Sequence, residues 1–174
     1  MKYFANLLFI SVIFVLTACG SKVPIADSSQ AVPEDKLVGK WTTAEKDPDE
    51  SIDISVYKFK DKEYLAWAAE EKTDSLKTKI DYHFYRVYSI DIDGKRFINA
   101  QDIDSPKPEN RVYFFYHYLF TSDSSLDFVE LENADSTNIE KFERSEDLYD
   151  FLKRNVNNTE LYGDTIRQIK TETF

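Results

Sequence analysis

Cysteine, glycine and histidine are all scarce in this chain: one cysteine, four glycines and two histidines among 174 residues. The glycines, at 20, 39, 94 and 163, allow neither a Gly-rich phosphate loop nor a Gly-x-Ser-x-Gly nucleophile elbow. His83 and His117 lack metalloprotease spacing. Each lies in an aromatic run, where a histidine more often satisfies a hydrogen bond than binds metal. Asp91 to Lys95 has some of the acidic spacing of a calcium loop, but Lys95 stands where an oxygen ligand is needed and Arg96 where the glycine is needed. Neither a metal nor a cofactor is expected, and a non-enzymatic role is the leading reading. Basic residues are outnumbered too, 22 against 32 acidic. Nucleic acid and anionic headgroups, which bind through a basic footprint, are therefore poor partners.

The amino terminus is organised differently from the rest. Lys2 is followed by an apolar run from Phe4 to Leu16 and by the small residues Thr17 and Ala18, the layout of a secretory signal. The run falls short of the ~20 residues that span a bilayer. Leu16-Thr17-Ala18-Cys19 resembles the lipobox of bacterial lipoproteins. That resemblance implies a signal peptide at 1–18, cleavage before Cys19, a diacylglyceryl group on its thiol, and an acylated new amino terminus. Gly20, in place of an aspartate after the cysteine, implies the outer membrane, with the domain facing the periplasm. Loss of Lys2 leaves 21 basic residues against 32 acidic, one charge more negative than the full chain's −10. With Cys19 used as the anchor, the mature domain has no disulfide and depends on packing alone.

Residues 19–36 are polar, carry Pro24 and Pro33, and show no sustained period, so the lipidated cysteine is expected to lead into a flexible tether. From Leu37 to Phe174 the chain reads as one mostly β domain. Short runs rich in Val, Ile, Phe, Tyr and Thr predict strands at 37–43, 52–60, 63–70, 78–92, 95–103, 111–121 and 125–132. Asp93-Gly94 is the strongest hairpin signal, because a type I′ turn requires positive φ; Asp61-Lys62 and Thr121 to Ser125 are weaker ones. One helix is predicted after Ser145, read as its cap, with Leu148, Phe151, Leu152 and Val156 as its apolar stripe. A last strand is expected near 164–170. Together these predict an antiparallel meander closing into a small β-barrel or curved sheet, with one C-terminal α-helix.

Gly39-Lys40-Trp41 on the first strand resembles the Gly-x-Trp motif of lipocalins and related calycins, and Arg144 before the helix resembles the arginine that precedes their C-terminal helix. The resemblance implies a calycin-like barrel in which Arg144 packs over Trp41 and closes the base, making Gly39, Trp41 and Arg144 structural. It also suggests a small hydrophobic or amphipathic ligand. Along "IDYHFYRVYSI" the alternate residues Ile80, Tyr82, Phe84, Arg86, Tyr88 and Ile90 form one apolar face interrupted by an arginine. If that face points inward, Arg86 is placed to hold an acidic headgroup, and Tyr82, Tyr88, Tyr116 and Tyr118 to line the wall. A one-residue shift would instead turn His83, Tyr85 and Val87 inward, and Arg86 would then serve an ion pair. The alternative function is an accessory module with a filled barrel that contacts an envelope protein through exposed aromatics.

Overall fold

Eight antiparallel strands pair in sequence order, and the last pairs with the first to close a barrel. They are β1 (Gly39–Thr43), β2 (Ile52–Lys58), β3 (Tyr64–Asp74), β4 (Lys77–Ile92), β5 (Lys95–Asp102), β6 (Tyr113–Ser122), β7 (Ser125–Leu131) and β8 (Tyr162–Glu172), with helix α1 (Ser145–Asn155) between β7 and β8. This computed structural model describes residues 20–44, 52–74, 77–131 and 139–174, without the side chains of 71–74 and 77–78. The signal segment 1–18 and Cys19 lie outside the described residues.

The turn chemistry of the sequence sets the lower end of the barrel. Asp93 (φ 50°) and Gly94 (φ 84°) join β4 to β5. Gly94 N–H donates to Asp91 Oδ1 at 3.0 Å, so the acidic spacing there serves a hairpin. The β2–β3 and β6–β7 turns share this end. The last residues of β1, β3, β5 and β7 and the first of β2, β4, β6 and β8 lie at the other, upper end.

Inside the lower half, Leu37, Trp41, Tyr64, Tyr118 and Leu126 form a packed plug. Trp41 Nε1 donates to Leu37 O at 2.8 Å, and Tyr118 donates to Glu34 while meeting Ser89 Oγ at 2.7 Å. Gly39 is required here: its φ is +138°, and a Cβ would stand 2.4 Å from Glu172 O on β8.

A second core lies outside the barrel wall. Tyr88, Ile90 and Ile92 of β4, Phe97 of β5 and Phe115 of β6 are covered by Leu148 and Leu152 of α1 and by Ile25, Ala26 and Ala31 of the N-terminal segment. The expected flexible tether is thus corrected for its described part. Ser21 and Tyr113 exchange both backbone hydrogen bonds, at 2.9 and 2.8 Å, and Ile25 N–H donates to Asn99 Oδ1 at 2.7 Å. Val32 N–H donates to Ser89 O at 2.9 Å. The physical cause is the length of β4: β3 pairs with it only as far as Val87, so the edge beyond is free for Val32.

The helix stripe falls as the spacing predicts, with Leu148 and Leu152 fully buried. Its start differs: Ser145 is the first helical residue, and Arg144 holds the cap position without a capping hydrogen bond from its side chain.

Candidate functional site

Strand alternation directs Tyr85 and Val87 of β4 inward, with Ile54 and Val56 of β2, Ala66 and Ala68 of β3, and Ile98 and Ala100 of β5. With Tyr116, Phe128, Ile166 and Gln168 they line a cavity of about 260 Å³ in the half of the barrel toward the upper end. Three alanines on the inward face, Ala66, Ala68 and Ala100, leave this space because their side chains are short. Glu130 stands at the rim and is the only charged lining residue among those described.

The inward face of β4 is therefore the opposite of the one with Arg86. Arg86 lies on the outer wall and clasps Glu63 with two hydrogen bonds, Nε to Oε2 and Nη2 to Oε1, both 2.8 Å. This corrects the headgroup role read from the sequence. The guanidinium also holds the Glu63 carboxyl below its usual range, mainly through those hydrogen bonds. Tyr82 is corrected too: it is 53% exposed on the outer face, 5.7 Å from the Trp67 ring. Tyr88 is buried, but under the N-terminal segment, where its hydroxyl donates to Ala26 O at 2.9 Å. Tyr116 does line the cavity, while Tyr118 faces inward below it, in the plug. The alternation could not tell inside from outside because β4 buries apolar residues on both faces.

The closure of the base also differs from the expected pairing. Arg144 is exposed, 3.5 Å from Glu146 and 3.8 Å from Asp147. Lys170 of β8 takes the place over Trp41, its Nζ 4.7 Å from the ring centroid. The same ammonium donates to Lys36 O at 2.7 Å and Val38 O at 2.9 Å, which locks the plug to the closing strand.

The polar groups of the cavity are few. Burial pushes the Tyr116 hydroxyl well above its ordinary pKa, with Glu130 and Tyr85 adding to the shift. The Tyr85 hydroxyl is pushed up to about 12, by burial first and then by Asp102, Asp104, Glu70 and Glu130. His83 stands with two of these carboxylates, its Nδ1 3.4 Å from Asp104 and its Nε2 4.0 Å from Glu70. His117 packs outside the barrel between the rings of Phe97 and Tyr162, where burial lowers its pKa. No group of three His, Cys, Asp or Glu side chains placed to hold a metal ion occurs among the described residues.

Gln168 and Glu130 were not singled out in the sequence, and nothing local marks them. Ala66, Ala68 and Ala100 did carry a signal: small residues at alternate strand positions leave space. A scan against protein-family models, a search of curated proteins and a search of solved structures each return no match.

Proposed function

We propose that this chain is a lipid-anchored lipoprotein of the bacterial envelope, without catalytic activity, whose barrel binds one small hydrophobic or amphipathic molecule. The observation that carries the reading is the apolar cavity of about 260 Å³ above a tightly packed plug. An engineered apolar cavity of ~150 Å³ holds benzene, so this one has room for a somewhat larger body. Its walls are aliphatic and aromatic apart from two phenols, an amide and a rim carboxylate, a composition suited to holding a ligand.

The anchoring geometry supports the reading. Cys19, the proposed site of lipid attachment, immediately precedes Gly20, and Ser21 is already paired to Tyr113 next to the β5–β6 connection. An acylated Cys19 would hold the upper end of the barrel close to the bilayer, with one residue of slack instead of a long leash. A ligand could then pass between membrane and cavity over a short path. The resemblance of residues 16–19 to a lipobox, followed by Gly20, favours the outer membrane and its periplasmic face.

A second reading, an accessory module that contacts an envelope protein, is favoured by a different surface. On the outer wall Leu65, Tyr82 and Phe84 are 38%, 53% and 49% exposed beside Trp67. Such a contiguous apolar face is a common feature of binding surfaces.

Native mass spectrometry with solvent extraction, on protein purified from a bacterial envelope, tests the first reading. An apolar adduct depleted in Ala66→Phe is expected. Clean protein after challenge with envelope lipid extract overturns ligand binding and leaves the outer aromatic face as the site to pursue. The anchor is tested separately, by an acylated N-terminal peptide beginning at Cys19 and by release of Cys19→Ser to the soluble fraction.

A further inference from the structure

The strands of the wall are unequal in length, and the excess forms a ribbon at the upper end. β2 pairs with β3 no further than Glu70, and β5 pairs with β4 only from Tyr85 onward, whereas β3 and β4 pair with each other out to Asp74 and Lys77. Past Glu70 they add four pairs with no third strand among the described residues. That length is about 13 Å, at ~3.3 Å per residue.

Alternation gives the ribbon and its root two unlike faces. Lys79, Asp81 and His83 share the side of Tyr85, which lines the cavity. Lys79 Nζ bonds Asp81 Oδ1 at 2.6 Å, and His83 stands against Asp104. The opposite face carries Ile80, Tyr82 and Phe84, all about half exposed. Trp67 pairs directly across from Phe84, with its ring 5.7 Å from that of Tyr82. Leu65 and Ala69 complete the outward positions of this stretch, and none of the six is charged.

The N-terminal segment meets the barrel at the same end. Gly20 leads into Ser21, whose backbone exchanges both hydrogen bonds with Tyr113, the first residue of β6. Gln101 stands between Tyr113 and Arg86 in the pairing register, so Gly20 is held near the row of Arg86, two residues from Phe84. With Cys19 acylated, a bilayer lies at the end from which the ribbon projects. The face suits that neighbour: it is uncharged, and Tyr and Trp place a ring and a polar tip at a headgroup boundary. The acidic excess of the chain makes a neutral headgroup the fitting one. The anchor turns this contact into an intramolecular one, so a small face suffices.

We propose that the β3–β4 ribbon is a second membrane contact, resting on the anchor reading above: its face of Trp67, Ile80, Tyr82 and Phe84 enters the headgroup boundary of the bilayer that holds Cys19.

Tryptophan fluorescence tests it on the lipidated protein, purified from membranes in detergent and reconstituted with phosphatidylcholine vesicles whose acyl chains carry bromine. The chain has two tryptophans, and Trp41 is buried in the plug, so quenching reports Trp67. With the face set about 5–10 Å into the boundary, Trp67 emission is expected to fall about twofold relative to unbrominated vesicles. Trp67→Phe, which leaves Trp41 alone, should float with the vesicles and show no quenching. Tyr82→Ser combined with Phe84→Ser, at two exposed positions, should float too and lose most of the quenching. The unsubstituted protein is readable without either variant. If it floats with Trp67 unquenched, the docking is overturned while the anchor stands, and the face is left to a protein partner. Quenching that persists in Trp67→Phe or in the folded double variant would overturn the ribbon as the contact. Protein that neither floats nor is quenched would overturn the anchor reading and the docking with it.

Discussion

Ala66→Leu separates a hollow barrel from a solid one by the sign of a stability change. Ala66 is buried on the inward face of β3 and lines the cavity. The substitution adds three carbons to space that no side chain fills. At ~0.8 kcal/mol per buried methylene the transfer gain is roughly 2.4 kcal/mol, and fixing the leucine rotamer costs about 0.5–1 kcal/mol. The net stabilisation is about 1.5 kcal/mol, or roughly 3–6 °C in Tm for a chain of this size. The assay is thermal and urea unfolding followed by circular dichroism, on protein extracted free of ligand. In a filled core the same carbons would be overpacked and cost ~1–3 kcal/mol. A fall in Tm, with the urea m-value unchanged, would refute the hollow-barrel reasoning.

The remaining predictions concern the wall and the base. Arg86→Ala should cost about 2–3 kcal/mol, because it leaves the largely buried Glu63 carboxylate without its partner, and the apolar adduct should persist; native mass spectrometry and urea unfolding read both. Since Arg86 holds the Glu63 pKa below its ordinary 4.5, the unfolded chain binds the proton more readily, and this stabilisation is present above about pH 4.5 and lost as pH falls through the lower folded value. Glu63→Gln should accordingly flatten stability against pH in the acid range, and an unchanged slope would contradict the pairing. Lys170→Met should lower stability by about 1–2 kcal/mol through loss of its two carbonyl hydrogen bonds and its place over Trp41, whereas Arg144→Ala should stay within ~0.5 kcal/mol, as measured by urea unfolding. Gly39→Ala, whose Cβ meets Glu172 O, should cost at least ~1–3 kcal/mol and loosen the β1–β8 seam in hydrogen exchange.

Much of the architecture was legible because it is local. Each of the eight strands carries its own alternating or apolar run, Asp93-Gly94 can hardly serve as anything but a tight turn, and Leu148, Leu152 and Val156 mark one face of α1. The meander left a closed barrel and a curved sheet both open, and the pairing of β8 with β1 decides for the barrel. The face of β4 was not legible, since Tyr88 and Ile90 look like barrel interior but are buried outside it, under α1 and the N-terminal segment. The ordering of that segment was hidden for a similar reason. Its apolar residues Val23, Ile25, Ala26 and Ala31 are scattered among polar ones, and the free edge of β4 that receives Val32 exists only once β3 has paired. The base shows the limit of motif transfer: the cation over Trp41 comes from Lys170 on the closing strand, while Arg144 pairs with Glu146 and Asp147 of its own helix.

The most direct measurement of the central claim is a crystal structure of the protein under xenon pressure, because xenon enters dry apolar cavities and is seen by its scattering. The account predicts a xenon site inside the barrel among Ile54, Ala66, Ala100 and Tyr116, above the Trp41 plug. A barrel with no interior xenon, its side chains meeting across the space now assigned to the cavity, would contradict it.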